Sequence, residues 1–325
     1  MAAEIFHARG LRQTTGSGIL VHFMLGSRLA PPQQAVSKGG ILAASLFTTR
    51  AVMPRIRKSF FWADLSARDF AHLDAVHTIA VLPVAAIEQH GPHLPLSVDT
   101  TLVNGVIAAT LPHIADDVAV LFLPTQQVGK SNEHARYPGT LTLSATTLIA
   151  NWIELGACVA RTGIKKLVLF NSHGGQVSVM DIVARDLRAA HELMVFASNW
   201  YTLGLPEGLI GAHEMRFGIH AGELETSMML ALTPQFVDMQ FAEHFVSSSE
   251  ARAARFPMVG NGMAAKLGWQ MQDLNPKGAA GNAAAATAEK GRAAIDHTGR
   301  QFAALLAEID RMPLDTLIER PAPTA

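Results

Sequence analysis

Thr78-Ile79-Ala80-Val81-Leu82-Pro83-Val84-Ala85-Ala86 runs through Ile87 into Glu88-Gln89-His90-Gly91-Pro92-His93-Leu94-Pro95 and then Asp99, and this stretch decides how the chain is read. An apolar run of this length, closed by a Pro-rich turn, predicts a strand of a parallel sheet buried on both faces. Pro83 argues mildly against it, because proline donates nothing to a ladder and prefers sheet edges. In open α/β sheets, ligands bind in the crevice beyond the carboxyl ends of the strands. Glu88, His90 and Asp99 placed there look like the first half of a metal site, whose second half should follow another strand.

A second strand pattern, Lys166-Leu167-Val168-Leu169-Phe170, runs straight into Asn171-Ser172-His173-Gly174-Gly175. A third segment offers His220-Ala221-Gly222-Glu223-Leu224-Glu225-Thr226-Ser227. Two divalent cations close together need a bridging carboxylate and a mixture of oxygen and nitrogen ligands. Glu88 and His90, two apart in extended chain, point to the same side, so each can serve one metal of a pair. Asp99, at the mouth of the next helix, is short enough to bridge. His173 would come in from the neighbouring strand, where Gly174-Gly175 lets the backbone pass close to a ligand. Glu223 or Glu225 would complete the second metal's set. Carboxylate and imidazole without sulfur suit Zn, Mn or Fe rather than a structural Cys-type zinc.

Working outward, Ser66 to Leu73 predicts a short helix capped by Ser66 or Asp64. Val98 to Ile114, Ser144 to Thr162 and Gln176 to His191 read as helices, and Val118 to Pro124 and Glu192 to Ser198 as strands. His220 to Leu232 reads as helical, as does the Ala-rich 283–310, with a break expected near Gly291. Strands alternating with helices predict right-handed βαβ units: an α/β fold whose mostly parallel sheet is covered on both faces. No fixed-period repeat and no linker divides 53–325, which is read as one domain. Pro257 to Gly281 is the expected mobile or interface loop.

The totals narrow the function. The 325 residues carry a net charge of -1, with 16% charged residues, so there is no basic footprint for nucleic acid and no acidic tail. No apolar run is long enough to span a bilayer. Cys158 is the only cysteine, so no intrachain disulfide forms, and a reducing, cytoplasmic setting is expected. Residues 1–52 hold one acid, Glu4, against several arginines and Lys38. They are expected to be a poorly ordered extension, with Met53 the expected true start.

Four blocks carry a resemblance: Glu88-Gln89-His90-Gly91 with His93-Leu94-Pro95 and Asp99; Tyr137-Pro138-Gly139-Thr140; Asn171 to Gly175; and His220 to Ser227. Together, in this order, they resemble the creatininase (creatinine amidohydrolase) family, dinuclear metal hydrolases that cleave amide C–N bonds. The resemblance implies a three-layer α/β/α fold and two divalent metal ions, Zn or Mn with Fe as a further choice. It implies Glu88, His90, Asp99 and His173 as ligands, with Asp99 bridging. It implies Glu223 as the fifth ligand, with Glu225 in reserve, and His220 as the proton donor to the leaving nitrogen. Creatininase itself resembles this chain less closely after His173: it carries a glutamate two residues on, where this chain has Gly175. That departure leaves the small-molecule amide open. The resemblance also implies a homo-oligomer, commonly a hexamer. A non-catalytic paralogue that binds metal or ligand and serves in assembly is the alternative. His93, Glu133 and His134 are expected to line the pocket, while His213, His297 and Cys158 are read as structural.

Overall fold

The parallel sheet forms because its strands are apolar on both faces. A computed structural model describes residues 58–321; the extension expected at 1–52 lies outside the described residues. Four strands, β1 (Thr78–Val84), β2 (Ala119–Phe122), β3 (Lys166–Asn171) and β4 (Met194–Asn199), pair in parallel in the order β2-β1-β3-β4. Helices connect them: α1 (Ala67–Ala71) precedes β1, α2 (Val98–Thr110) follows it, and α3 (Ala145–Arg161) and α4 (Val177–His191) flank β3. Beyond β4 come α5 (Ala212–Phe217), α6 (Glu223–Leu232), α7 (Ser248–Arg255), α8 (Met271–Leu274) and α9 (Ala288–Arg311). A short antiparallel pair, β5 (His244–Phe245) and β6 (Gly281–Asn282), lies among them.

Alternate strand residues feed two cores, as a period of two requires. Ile79 and Val81 of β1, with Val168 and Phe170 of β3, pack against α2, α6 and α9. Phe170 stacks on Phe302 of α9 with ring centroids 3.8 Å apart. Ala80, Leu82 and Val84, with Leu167 and Leu169, face α3 and α4 around fully buried Trp152. The result is the expected three-layer α/β/α arrangement.

Pro83 sits within β1 although β1 is an inner strand. Its carbonyl accepts from Gln126 N–H at 2.9 Å, so its nitrogen faces the β2 side, past the last residue of β2. The missing N–H therefore falls where the β2 strand has already ended, which is why the proline is tolerated. The expected break near Gly291 does not occur, and α9 runs unbroken from Ala288 to Arg311. Gly291 is needed for close approach instead: a Cβ there would lie 1.9 Å from the Ser227 carbonyl oxygen of α6. His220 to Gly222 is not helical either. His220 bridges to Ala280 in antiparallel fashion and α6 starts at Glu223. The 257–281 loop carries the α8 turn, whose Met271 and Leu274 are buried.

The connection from β1 passes over the α9 face, and the one from β3 over the α3 face. The carboxyl ends of β1 and β3 therefore flank a topological switch point, where a crevice opens.

Candidate metal centre

The loop after β1 delivers Glu88, Gln89 and His90, and the first turn of α2 delivers Asp99. The end of β3 delivers His173, and the 131–134 turn brings Ser131, Glu133 and His134 over the top. His220 and Glu225 arrive from the segment entering α6. All of these except Glu225 are buried, and the Glu225 side chain is 20% exposed.

Glu88 is the hub. Its Oε2 accepts from Ser131 Oγ and lies 3.2 Å from His173 Nδ1. Its Oε1 lies 3.5 Å from His134 Nε2 and 3.8 Å from both His90 Nε2 and His220 Nδ1. Asp99 stands between two imidazoles, with Oδ1 3.9 Å from His90 Nε2 and Oδ2 3.6 Å from His173 Nδ1. Ser172 Oγ donates to the Asp99 carbonyl at 2.7 Å and ties β3 to α2 at this point.

Hydrogen bonds set the ring orientations. His90 Nδ1–H donates to the Glu88 carbonyl at 3.0 Å, which turns Nε2 inward. His220 Nε2–H donates to the Gln89 carbonyl at 2.8 Å, which leaves Nδ1 toward Glu88. The Gln89 amide donates to His134 Nδ1 at 2.7 Å, so the His134 proton sits on Nε2, facing Glu88. Below His173, the Asn171 side chain brackets the loop by accepting from His173 N–H at 2.9 Å and donating to the His173 carbonyl at 2.6 Å.

The acidic pair at the start of α6 divides. Glu225 Oε2 is 3.9 Å from His90 Nε2 and accepts from Ala221 N–H at 2.6 Å. That bond holds Ala221 at φ 52°, a left-handed conformation that costs a non-glycine residue about 1–3 kcal/mol. Glu223, the residue that the resemblance implies as fifth ligand, stands elsewhere. Its carboxylate pairs with Lys290 of α9, and its N–H donates to Glu214 Oε1 at 2.8 Å. At the third helical position a side chain leans back toward the helix N-terminus, and at the first it does not reach the same face. The structure thus brings Glu88, His90, Asp99, His173 and His220 together with Glu225, not with Glu223.

Burial would push Glu88 up, but His173, His134 and His90 around it hold it well below the ordinary carboxylate range. Burial, with Glu88 adding to it, holds Asp99 well above that range. Burial and the neighbouring His220 push His90 well down. Burial also dominates for His134, which falls to about 3. Burial would lower His173, but Glu88, Glu133 and Asp99 hold it well above the ordinary imidazole value. One carboxylate pushed down beside one pushed up is the mark of acids competing for too little positive charge.

Within this cluster, His90 Nε2 and Asp99 Oδ2 are buried and have no hydrogen-bond partner among the described residues. Buried polar atoms are ordinarily satisfied, so a pair of orphans aimed into one crevice needs an explanation. Divalent cations supply one. Glu88, Asp99 and His173 offer donor atoms within 4.8 Å of one another, and so do His90, Asp99 and Glu225. The two groups share Asp99. A further group, Glu88, His90 and His220, meets the same limit. The donors, all oxygen and imidazole nitrogen, fit Zn or Mn.

The family model for creatininase, creatinine amidohydrolase, matches residues 63–306. The chain belongs to the creatininase family. It is therefore a hydrolase of the class that acts on amide C–N bonds. A creatinine amidohydrolase of Pseudomonas putida is 32% identical over 203 residues, covering 56% of this chain and 75% of that protein. A mycofactocin precursor peptide peptidase of Mycobacterium tuberculosis is 31% identical over 180 residues, covering 53% of this chain and 65% of that one. A solved mutant creatininase in a Zn–Zn form has a TM-score of 0.61 at 25% identity and covers 78% of this chain and 98% of its own. A manganese creatininase with a TM-score of 0.60 is 24% identical, covering 77% of this chain and 98% of that one, and supports the fold.

The sequence places Glu133 and His134 in the pocket without assigning them roles, and gives no role to Ser131 or Gln89. Their signal was local: Ser131, Glu133 and His134 fall in one polar stretch, and Gln89 lies between two named donors. His93 lies beside the cluster, with Nε2 2.9 Å from Thr226 Oγ1. Cys158, read as structural, is exposed on α3 with Arg161 beside its sulfur.

Proposed function

We propose that the chain is a dinuclear metal-dependent amidohydrolase that opens or cleaves a small cyclic or linear amide. The observation that carries this reading is the pair of orphaned donors, His90 Nε2 and Asp99 Oδ2, inside two donor groups joined by Asp99. Glu88, Asp99 and His173 would hold one ion, and His90, Asp99 and Glu225 the other. When bound, such a pair supplies a deprotonated water near neutral pH and polarises an amide carbonyl.

The remaining residues manage orientation and protons. Glu88 is kept ionised by the imidazoles around it, so it is ready to ligate without first losing a proton. His220 presents Nδ1 to the pocket while Nε2–H is occupied by the Gln89 carbonyl. A proton carried on Nδ1 can pass to the departing nitrogen, a step that contributes about 10²–10⁴-fold. The Tyr201 phenol is pushed up to about 12 by partial burial, with Asp99 and Glu225 adding to it, and it stays protonated near neutral pH, able to donate to a substrate oxygen. Gly175 replaces the glutamate expected of creatininase by resemblance, which favours an amide other than creatinine.

A homo-oligomer belongs to the same reading. Phe236, Phe241, Phe256 and Met258 are exposed, Met258 at 68%, apolar side chains that a subunit interface would cover. Light scattering on purified protein tests this, and a monomer at micromolar concentration would refute it. Among the described residues no helix is long and apolar enough to cross a membrane. For the reaction, the zinc- or manganese-loaded protein should hydrolyse members of a panel of cyclic and linear amides, and chelation should stop it. Turnover that survives complete metal removal would refute the metal-dependent mechanism.

A further inference from the structure

Glu133 is a buried carboxylate that lies beside the donor groups but belongs to none of them. Glu133, in the turn Asn132–His134, is only 9% exposed, and its Oε1 lies 3.4 Å from His173 Nε2. The same Nε2 lies 2.9 Å from the Lys130 carbonyl. Both groups beside Nε2 are acceptors, so that nitrogen keeps its N–H whatever Nδ1 carries. Nδ1 faces Glu88 Oε2 at 3.2 Å and Asp99 Oδ2 at 3.6 Å, where a metal ion would take the place of its proton.

The second observation is steric and comes from a different element. A Cβ at Gly175 would lie 1.7 Å from Glu133 Oε1 and 2.7 Å from its Cδ. Gly175 does not have a positive φ, so its backbone conformation does not call for glycine. Space does. The Glu133 carboxylate, with His173 Nε2 only 2.5 Å from the same point, fills the volume that a side chain at 175 would enter.

We propose that Glu133 is a positioning residue of the metal centre: together with the Lys130 carbonyl that accepts the Nε2–H of His173, its carboxylate, 3.4 Å from that nitrogen, holds the ring with Nδ1 toward Glu88 and Asp99, and it leaves room only for glycine at 175. The inference rests on the dinuclear reading above. Outer partners of ligating histidines act in this way, and losing one typically costs about 10–100-fold in metal affinity.

Glu133 touches the donor group of Glu88, Asp99 and His173 and not that of His90, Asp99 and Glu225, so its effect should be confined to one of two sites. The test is a titration of metal-free wild type, Glu133→Ala and Glu133→Gln with Zn²⁺ against a chromophoric chelator, each variant first checked for wild-type thermal unfolding. In Glu133→Ala one equivalent should weaken by about 10–100-fold while the other keeps its affinity. Glu133→Gln retains an acceptor oxygen and should recover most of that loss. Gly175→Ala, whose Cβ would crowd both the Glu133 carboxylate and His173 Nε2, should show the same one-site weakening. Unchanged affinity in Glu133→Ala, or equal weakening of both equivalents, would overturn the assignment. Absence of bound metal in wild type would instead overturn the dinuclear reading, so the two failures are distinguishable.

Discussion

The core of the sheet and the crevice at its carboxyl edge are built from adjacent residues and obey opposite rules. Val81, Leu82 and Val84 of β1 are almost completely buried and apolar; four residues after Val84 the chain places Glu88, equally buried and charged. In the core, apolar side chains pack against one another, as where Phe170 stacks on Phe302. In the crevice, carboxylates and imidazoles are packed together, His90 Nε2 and Asp99 Oδ2 lack hydrogen-bond partners, and one carboxyl is pushed up beside another pushed down. The core is made to be stable, and the crevice is made to bind. Damage should therefore appear as lost stability in one place and lost chemistry in the other.

The largest expected effect tests the chemical side alone. His220→Ala should lower kcat by about 10²–10⁴-fold while the protein keeps its metal and its thermal stability. Steady-state kinetics with metal analysis on the same sample checks this. If metal is lost instead, His220 Nδ1 is a ligand, as its grouping with Glu88 and His90 allows, and not the proton donor.

The matching change on the other side is Phe302→Ala. It empties space against Phe170 and Phe122 and should cost about 3–5 kcal/mol in denaturant unfolding. Metal stoichiometry of the folded fraction should not change. A variant that keeps its stability but loses metal would break the separation between the two regions.

A smaller effect lies at their border. His93 is buried, and its imidazole is pushed down to about 4, by burial first and then by His220. Its folded-state value is thus below the ordinary 6.5 of an unfolded chain. The unfolded chain then binds more protons, so this stability is present above about pH 6.5 and is lost as the pH falls toward 4. In metal-free protein the loss should amount to about 1–3 kcal/mol. Comparing wild type with His93→Gln by chemical unfolding at several pH values isolates it. An identical pH dependence in both proteins would contradict the burial argument.

The same contrast explains what was legible in the sequence. The strands, α2, α3 and α4 were readable because burial on two faces leaves unbroken apolar runs and burial on one face leaves a helical period. Glu88, His90, Asp99 and His173 stood out because they follow strand ends directly. Glu223 and Glu225 could not be separated, because the choice turns on where α6 starts. A shift of two residues in that boundary exchanges the residue facing Lys290 with the one facing His90. Gly291 misled for a related reason. Glycine lowers helix propensity, yet here contact with the Ser227 carbonyl demands it, and such tertiary proximity leaves no local trace. Glu133 is legible only once Gly175 is seen beside it in space.

Elemental analysis of untagged protein, wild type beside Glu225→Gln and Glu223→Gln, tests the two-metal centre directly. About two equivalents of Zn or Mn per chain are expected in wild type and in Glu223→Gln, and about one in Glu225→Gln. No bound metal in wild type even after reconstitution, or loss of metal from Glu223→Gln but not from Glu225→Gln, would contradict that expectation.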